Sequence, residues 1–338
     1  MLALTRRGSS VELTEVPDPV PLSHEALVRV NTLALTHRDL LDLTGRGAWP
    51  RASAGLGDAP NVPEGTVPGR DFAGELVRYP AVINPTATLG AVLSARLVGT
   101  VQRGAWAELV AVPYTQLAGL PDNVADVQGS ALPTAGLAAL RALELGGFLV
   151  GKEVLVTGAR GAVGRLACQL ANLAGAHVRA FVRPGEQAPR SYRPLDGIPG
   201  AEFVTEHLLC RPDLIIDTVG GDILGEAIES LEPQGLLVTV ATPAMDGRVS
   251  FRTWRRDRSV GARIQFLDDL DEVTAHDRLH ADLVRLVRLV AEFKLDVGVE
   301  VERPWQEAAE VIAAVRERQI KGRAVLRVTT RGLRPNRG

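Results

Sequence analysis

The chain has 338 residues, 46% of them hydrophobic and 23% charged. At ~150 residues per domain this is room for about two domains with real cores, which excludes dominant disorder and a small disulfide scaffold. Its 38 basic and 40 acidic residues nearly cancel to −2, so composition makes no case for nucleic acid or an anionic membrane as the main partner.

The opening MLALTRRGSS holds no apolar run of signal-peptide length. No stretch reaches the ~18 apolar residues of a spanning helix. The two cysteines, Cys168 and Cys210, suit a reducing compartment. The expectation is a soluble cytoplasmic protein.

Residues 1–120 read as mainly β. VELTEV (11–16) and ALVRVNTLAL (26–35) are rich in β-branched and apolar residues and are punctuated by Pro and Gly. Arg46–Thr66 is a long loop, a kind that is usually functional or mobile in compact domains, and it carries Arg46, Trp49 and Arg51. Trp49 is a candidate substrate lid or a loop anchor. Near Leu120 the pattern changes. Strands are predicted at Glu153–Thr157, His177–Val182, Leu214–Val219, Leu236–Ala241 and Arg263–Leu267. A helix follows the first, and another spans Asp222–Leu231. Alternation of this kind predicts a doubly wound parallel sheet. Beyond it, Leu279, Leu283, Leu286, Val287, Val290 and Phe293 form one stripe of a helix over Asp277–Phe293. A second helix is predicted from Pro304, with Val311, Ile312 and Val315 inward. Ala324–Val328 closes as a strand, and Thr329–Gly338 is a polar tail. An α/β module set between two other segments implies a discontinuous first domain.

The sharpest motif is the run Gly158, Gly161, Gly164, which follows a strand and opens a helix. Glycine permits a tight turn and a close backbone approach to a pyrophosphate. The free N–H groups of the helix start, here Ala162, Val163 and Gly164, favour the anion. The spacing is G-x-x-G-x-x-G, so the strand before and the helix after carry the reading. At the end of the second strand, where NAD-binding folds place an acid on the ribose, stands Arg183. Its guanidinium suits a 2′-phosphate, and Glu186 lies past Pro184 and Gly185. Arg160 is a second candidate phosphate contact. The cofactor expected is NADP(H).

Several ordered motifs resemble the medium-chain dehydrogenase/reductase superfamily, on its zinc-free quinone and enone reductase side. They are LTHRDLLDLTGRG (Leu35–Gly47), VPGRDFAGELV (Val67–Val77), GAWAELVAVP (Gly104–Pro113), LPDNVADVQGSALPTAGLAAL (Leu120–Leu140), the stretch from Asp213 to Ala241, and KGRAVLRV. The resemblance implies an α/β chain in which a GroES-like β-rich catalytic domain (1–122 and 268–338) is interrupted by a Rossmann doubly wound parallel-sheet domain (123–267). It also implies an active site in the cleft between them. Two departures stand out. Arg78–Arg103 lacks the usual Gly-Asp-Arg-Val pattern, and Gln187 sits about where a lysine is usual.

In zinc-dependent relatives a Cys would fall at Thr36 and a His at Arg70. No cysteine lies near Pro133–Gly136, and the cysteine cluster of a structural zinc lobe is missing. Arg is no zinc ligand and Thr is a poor one, and His37 with Asp39 alone is not a site, so no metal is expected. The chemistry implied is direct hydride transfer from nicotinamide C4 to a quinone, enone or 2-alkenal, or to an acryloyl-type thioester.

By resemblance Thr36 is the polar residue facing nicotinamide and substrate, while Leu41 stands where a Tyr is often found. A protein proton donor is therefore reduced or absent, and water could protonate the product anion. Arg70 is either an anchor for an oxyanion or acidic substrate group, or an ion-pair partner of Asp39 or Asp71. Asp39 is read as structural, near the cleft. Thr134, Thr218 and Val219 are assigned to the cofactor, as are Ala241 and Thr242 at a strand end, Phe266 on the return toward the catalytic domain, and Arg323 in the final motif. Relatives pair edge strands, so RIQFL implies a homodimer. An alternative from another class is an NADPH-binding sensor or interaction protein with little catalysis.

Overall fold

The computed structural model describes residues 1–44, 63–81, 95–181, 202–204, 211–240, 249–252, 260–267, 278–320 and 322–329. The chain divides into two compact units. One comprises Met1–Thr134, Asp277–Ala291 and Val299–Gly338; the other comprises Ala135–His276 and Glu292–Gly298.

In the first unit, β1 (Leu2–Arg7) and β2 (Ser10–Glu15) form a hairpin. A seven-stranded sheet is centred on β3 (Glu25–Ala34). On one side of it run β4 (Asp71–Arg78), β5 (Arg96–Thr100) and β7 (Leu117–Gly119), with β6 (Leu109–Pro113) off this path. On the other run β15 (Arg323–Arg327) and β14 (Val299–Pro304), while β6 pairs β3 directly. The inward Ala26, Val28 and Val30 alternate with half-buried neighbours along β3, as a pleat of period two requires. They share a core with Phe72, Trp106 and Trp305. Helix α1 (His37–Leu43) begins three residues after β3, and α2 (Asp126–Ser130) precedes α3 (Pro133–Leu145).

In the second unit six parallel strands lie in the order β10-β9-β8-β11-β12-β13. They are β8 (Glu153–Thr157), β9 (His177–Phe181), β10 (Glu202–Val204), β11 (Leu214–Asp217), β12 (Leu236–Thr239) and β13 (Arg263–Phe266). Helix α4 (Ala162–Leu173) connects β8 to β9, and α5 (Gly221–Ser230) connects β11 to β12. Counted from β8, the order is 3-2-1-4-5-6, that of the dinucleotide-binding sheet. Strands β11 and β12 are buried throughout, which is why they read as unbroken apolar runs. The order reverses between β8 and β11, and ligands of such sheets collect at the carboxyl ends there.

The parallel sheet and the β-rich unit agree with the expected fold class. Two helices differ from their sequence-based bounds. Helix α6 (Leu279–Ala291) buries Leu279, Leu283, Leu286, Val287 and Val290. Phe293 lies past its end at φ 56°, and its side chain is 79% exposed. It is not part of the stripe, because the chain leaves helical geometry before reaching it. Pro304 ends β14, with φ −65° and ψ 146°, rather than opening a helix. A 3₁₀ turn intervenes, and α7 starts at Ala308 and runs to Arg316, with Val311 and Ile312 inward and Val315 half-buried.

Candidate active site

The glycine loop lies at the point where the sheet reverses. Gly158 has φ 65°, and a Cβ there would sit 2.3 Å from Thr218 Oγ1 and 2.9 Å from Val219 Cγ2. The loop after β8 is thus pressed onto the end of β11 at Thr218 and Val219. A Cβ at Gly164 would meet the Gly158 carbonyl oxygen at 2.3 Å. Both glycines are required by the turn itself. Gly161 differs: it caps α4 at φ −72°, and its Cβ would meet only Gly158 O, at 3.2 Å. It gives the helix no side-chain cap, so the first-turn N–H groups of Ala162, Val163 and Gly164 have no intrahelical partner. Residues 161–163 are half-buried. This is a cradle for a phosphate group, and the residues fit a nicotinamide dinucleotide. Arg160 stands within it.

Beneath the loop is a residue the sequence reading passed over. Asp217 ends β11, fully buried. It accepts hydrogen bonds from Thr157 Oγ1 (2.6 Å), Thr239 Oγ1 (2.9 Å) and the N–H of Gly220 (3.1 Å). Thr218 in turn donates from its N–H to Thr157 Oγ1 (3.1 Å) and from its hydroxyl to Thr157 O (2.8 Å). One carboxylate therefore ties the ends of β8, β11 and β12 together. Its only signal in sequence was an Asp closing the apolar run LIID.

In the other unit, Thr36 is the N-cap of α1. Its hydroxyl donates to Asp39 Oδ2 (2.7 Å), its N–H donates to the same oxygen (2.9 Å), and Asp39 N–H donates back to Thr36 Oγ1 (3.1 Å). This is a capping box. Asp39 is 1% exposed. Burial pushes its carboxyl up to about 7, against the lowering pull of Arg70 and of the Thr36 hydrogen bonds. Arg70 is 7% exposed. Its Nη2 pairs with Asp42 Oδ2 at 3.0 Å, while its Nε stands 3.7 Å from Asp39 Oδ1. Arg38 reaches the other Asp42 oxygen at 3.6 Å. Burial lowers the Arg103 guanidinium, with Asp42 raising it and Arg70 lowering it further. The structure thus adds Asp42 as the close partner of Arg70, a contact 28 residues apart in sequence that no local pattern announces.

Asp71 makes a different set. It accepts from Thr134 Oγ1 (2.5 Å) and Thr134 N–H (3.1 Å), and Arg323 Nη2 reaches it at 3.2 Å. Arg323 also donates to Ala131 O and Leu35 O. It braces β15 against the start of α3 and the end of β3. Phe266 lies on the outer strand β13, 69% exposed. Arg183, Glu186, Gln187, Ala241, Thr242, Arg46, Trp49, Arg51 and Cys210 lie outside the described residues.

Zinc does not fit here. The Thr36 hydroxyl is engaged in its capping box and Arg70 is a cation paired to Asp42, whereas zinc sites are built from thiolate, imidazole and carboxylate. Among the described residues no group of three or more His, Cys, Asp or Glu could hold a metal ion.

A family profile described as a zinc-binding dehydrogenase matches residues 202–326. An acryloyl-coenzyme A reductase from Metallosphaera sedula is 31% identical over 243 residues, spanning 68% of this chain and 72% of that protein. The chain belongs to the medium-chain dehydrogenase/reductase superfamily, in its quinone and enoyl reductase branch. A chloroplastic quinone-oxidoreductase homolog from Spinacia oleracea is 32% identical over 174 residues, about half of each chain. Among solved structures, the quinone oxidoreductase of Thermus thermophilus, also determined with NADPH, superposes with TM-score 0.73. The match covers 97% of this chain and all of that one at 24% identity, and shows the shared fold. This member of the superfamily is an oxidoreductase with a GroES-like and a Rossmann part, built for a nicotinamide cofactor and a small-molecule substrate.

Proposed function

We propose that this oxidoreductase is an NADPH-dependent, zinc-independent reductase of quinones, enones or 2-alkenals. The observation that carries the reading is the site around α1, where a capped threonine and a paired guanidinium stand in place of metal-binding donors. A conjugated acceptor needs no Lewis acid, because its accepting atom is already electrophilic. When bound, the cofactor supplies a hydride from nicotinamide C4. Gly158, Gly161 and the N–H groups of residues 162–164 hold its pyrophosphate. Arg183 and Arg160 meet the 2′-phosphate, and Thr134, Thr218, Val219, Ala241, Thr242, Phe266 and Arg323 position or brace it. Thr36 faces the substrate carbonyl, and Arg70, held by Asp42, is the cation standing beside it. A thioester of acryloyl type is the second substrate reading, favoured by the 31% identity to an enzyme of that name. No helix among the described residues is long and apolar enough to cross a membrane. With only two cysteines, the cytoplasm is the proposed location, and the proposed assembly is a homodimer.

The test is NADPH oxidation, with NADH in parallel, by metal-analysed protein against benzoquinone, naphthoquinone, an alkyl enone, a 2-alkenal and acryloyl-CoA. Turnover favouring NADPH and one acceptor class supports the reading and names the substrate. A preference for NADH removes the role of Arg183. About one zinc per chain overturns zinc independence. Tight NADPH binding without turnover transfers the case to the sensor reading.

A further inference from the structure

We propose that Asp39 is the proton store of this reductase and delivers through the Thr36 hydroxyl, the direction of their shared hydrogen bond being set by whether the carboxyl carries a proton. This role rests on the reductase reading for what receives the proton.

A threonine hydroxyl has one hydrogen and two lone pairs. One lone pair of Thr36 Oγ1 is taken by the N–H of Asp39, at 3.1 Å. With Asp39 ionised, the single hydroxyl hydrogen points to Oδ2 at 2.7 Å, and Thr36 has none to give a substrate. With Oδ2 protonated, the same 2.7 Å contact runs the other way. The carboxyl donates to the second lone pair of Oγ1, and the hydroxyl hydrogen is released to a new acceptor. The remaining oxygen, Oδ1, is buried without a hydrogen bond, and so is Arg70 Nε, 3.7 Å away. Asp39 is therefore not locked into a hydrogen-bonded ion pair. Arg70 makes its close contact with Asp42 instead.

The charged groups around the carboxyl are Arg70 and Asp71 at the start of β4, Arg38 and Asp42 on α1, and Arg103 after β5. The charge of Asp71 is offset by Arg323. In this setting burial holds the carboxyl near 7, so a proton is at hand at neutral pH. That position suits a group that must both give and regain one.

Hydride arrival leaves the substrate as an enolate- or phenolate-type anion. The Thr36 O–H bond breaks as an O–H bond forms on the substrate oxygen. The Asp39 Oδ2–H bond breaks in the same event, and its proton restores the hydroxyl. Asp39 is left as a carboxylate beside Arg70. After product leaves, a water proton returns along the same path.

The direct test needs no turnover. In protein labelled with ¹³C-aspartate, the carboxyl resonance that vanishes in Asp39→Asn is titrated. A midpoint within about one pH unit of 7, moving upward in Thr36→Val, is expected; a midpoint below about 5 overturns the role. The kinetic test is the pH profile of kcat/KM with a quinone. The wild type should fall about tenfold per unit above the Asp39 midpoint. Asp39→Asn should lose that limb along with at least about tenfold activity at pH 6. Thr36→Val should behave alike and Thr36→Ser should retain the limb, so the threonine pair decides the matter even if Asp39→Asn does not fold. An unchanged limb in Thr36→Val overturns the relay. No turnover in the wild type with a near-neutral midpoint sinks the reductase reading and the delivery role together, whereas a low midpoint sinks the delivery role alone.

Discussion

A carboxyl whose ordinary value is 3.8 and which is raised to about 7 in the folded protein binds its proton more tightly folded than unfolded. Between those values the folded state holds more protons. Stability therefore falls as pH rises from about 4 to about 7, by on the order of 4 kcal/mol for Asp39, and is flat with respect to this group above that window. Asp39→Asn removes the charge and keeps an acceptor for Thr36. The variant should gain on the wild type in urea midpoint steadily from about pH 5 to about pH 7.5, and a constant difference across that range would show that Asp39 does not titrate there. Arg70→Gln withdraws the cation from Asp42 as well as from Asp39. It should cost about 3 kcal/mol at pH 8, where Asp39 is ionised and a buried pair is broken, and less at pH 5, where Asp39 holds its proton. At this scale the spacing of Thr36 and Asp39, three residues apart, is the one a capping box requires, a local signal that the reading of Thr36 as a substrate-facing residue passed over. Asp42 was not legible as a partner, because only the folded path of the 68–70 segment brings Arg70 to it.

That path is set by elements rather than by single residues. Gly69 has φ 92°, and a Cβ there would lie 1.8 Å from Trp106 Cδ1. The buried indole lies on the glycine. The N–H groups of Val101, Ala105 and Trp106 donate to the carbonyls of Arg70, Gly69 and Pro68. Gly69→Ala forces either the indole or the backbone to move and should lower stability by about 3 kcal/mol or more, read as a drop in thermal midpoint. In the parallel sheet, Asp217 plays the corresponding part. Asp217→Asn keeps the shape but turns one acceptor oxygen into a donor that faces Thr157, Thr239 or backbone N–H groups. A loss of about 2–4 kcal/mol is expected. Weaker NADPH binding by calorimetry should accompany it, since Gly158 is seated on Thr218. Unchanged binding in a folded variant would show that the strand ends do not position the loop. Alternation and unbroken apolar runs made β3, β8, β11 and β12 readable. Strand β14 was not, because its burial pattern is largely half-buried or exposed and Pro304 resembles a helix start. Phe293 misled for the opposite reason: apolar periodicity continued one step beyond the last helical residue.

At the scale of the whole molecule, motif order carried more than any one motif. The strand order places the glycine run at the reversal of the sheet. Assembly is the remaining question at this scale. Strand β13 is the outer strand of the sheet among the described residues. Arg263 N–H and Leu267 N–H donate to Gly235 and Thr239 on the β12 side. By the period of two, Ile264 and Phe266 turn their N–H groups to the open side. Their side chains are 40% and 69% exposed, without a lysine, a proline or a bulge to blunt the edge. A two-fold axis beside this strand would pair β13 with its copy and continue the sheet across the dimer. The wild type should then have a solution mass of twice 36.1 kDa. Ile264→Pro deletes one outward N–H and leaves the Arg263 and Leu267 bonds to β12 in place, so it should run at 36.1 kDa while still binding NADPH. Glu310→Lys on α7, away from that edge, serves as the control and should keep the wild-type mass. A wild type of 36.1 kDa at micromolar concentration would remove the pairing of β13 with its copy and make a single chain the working unit.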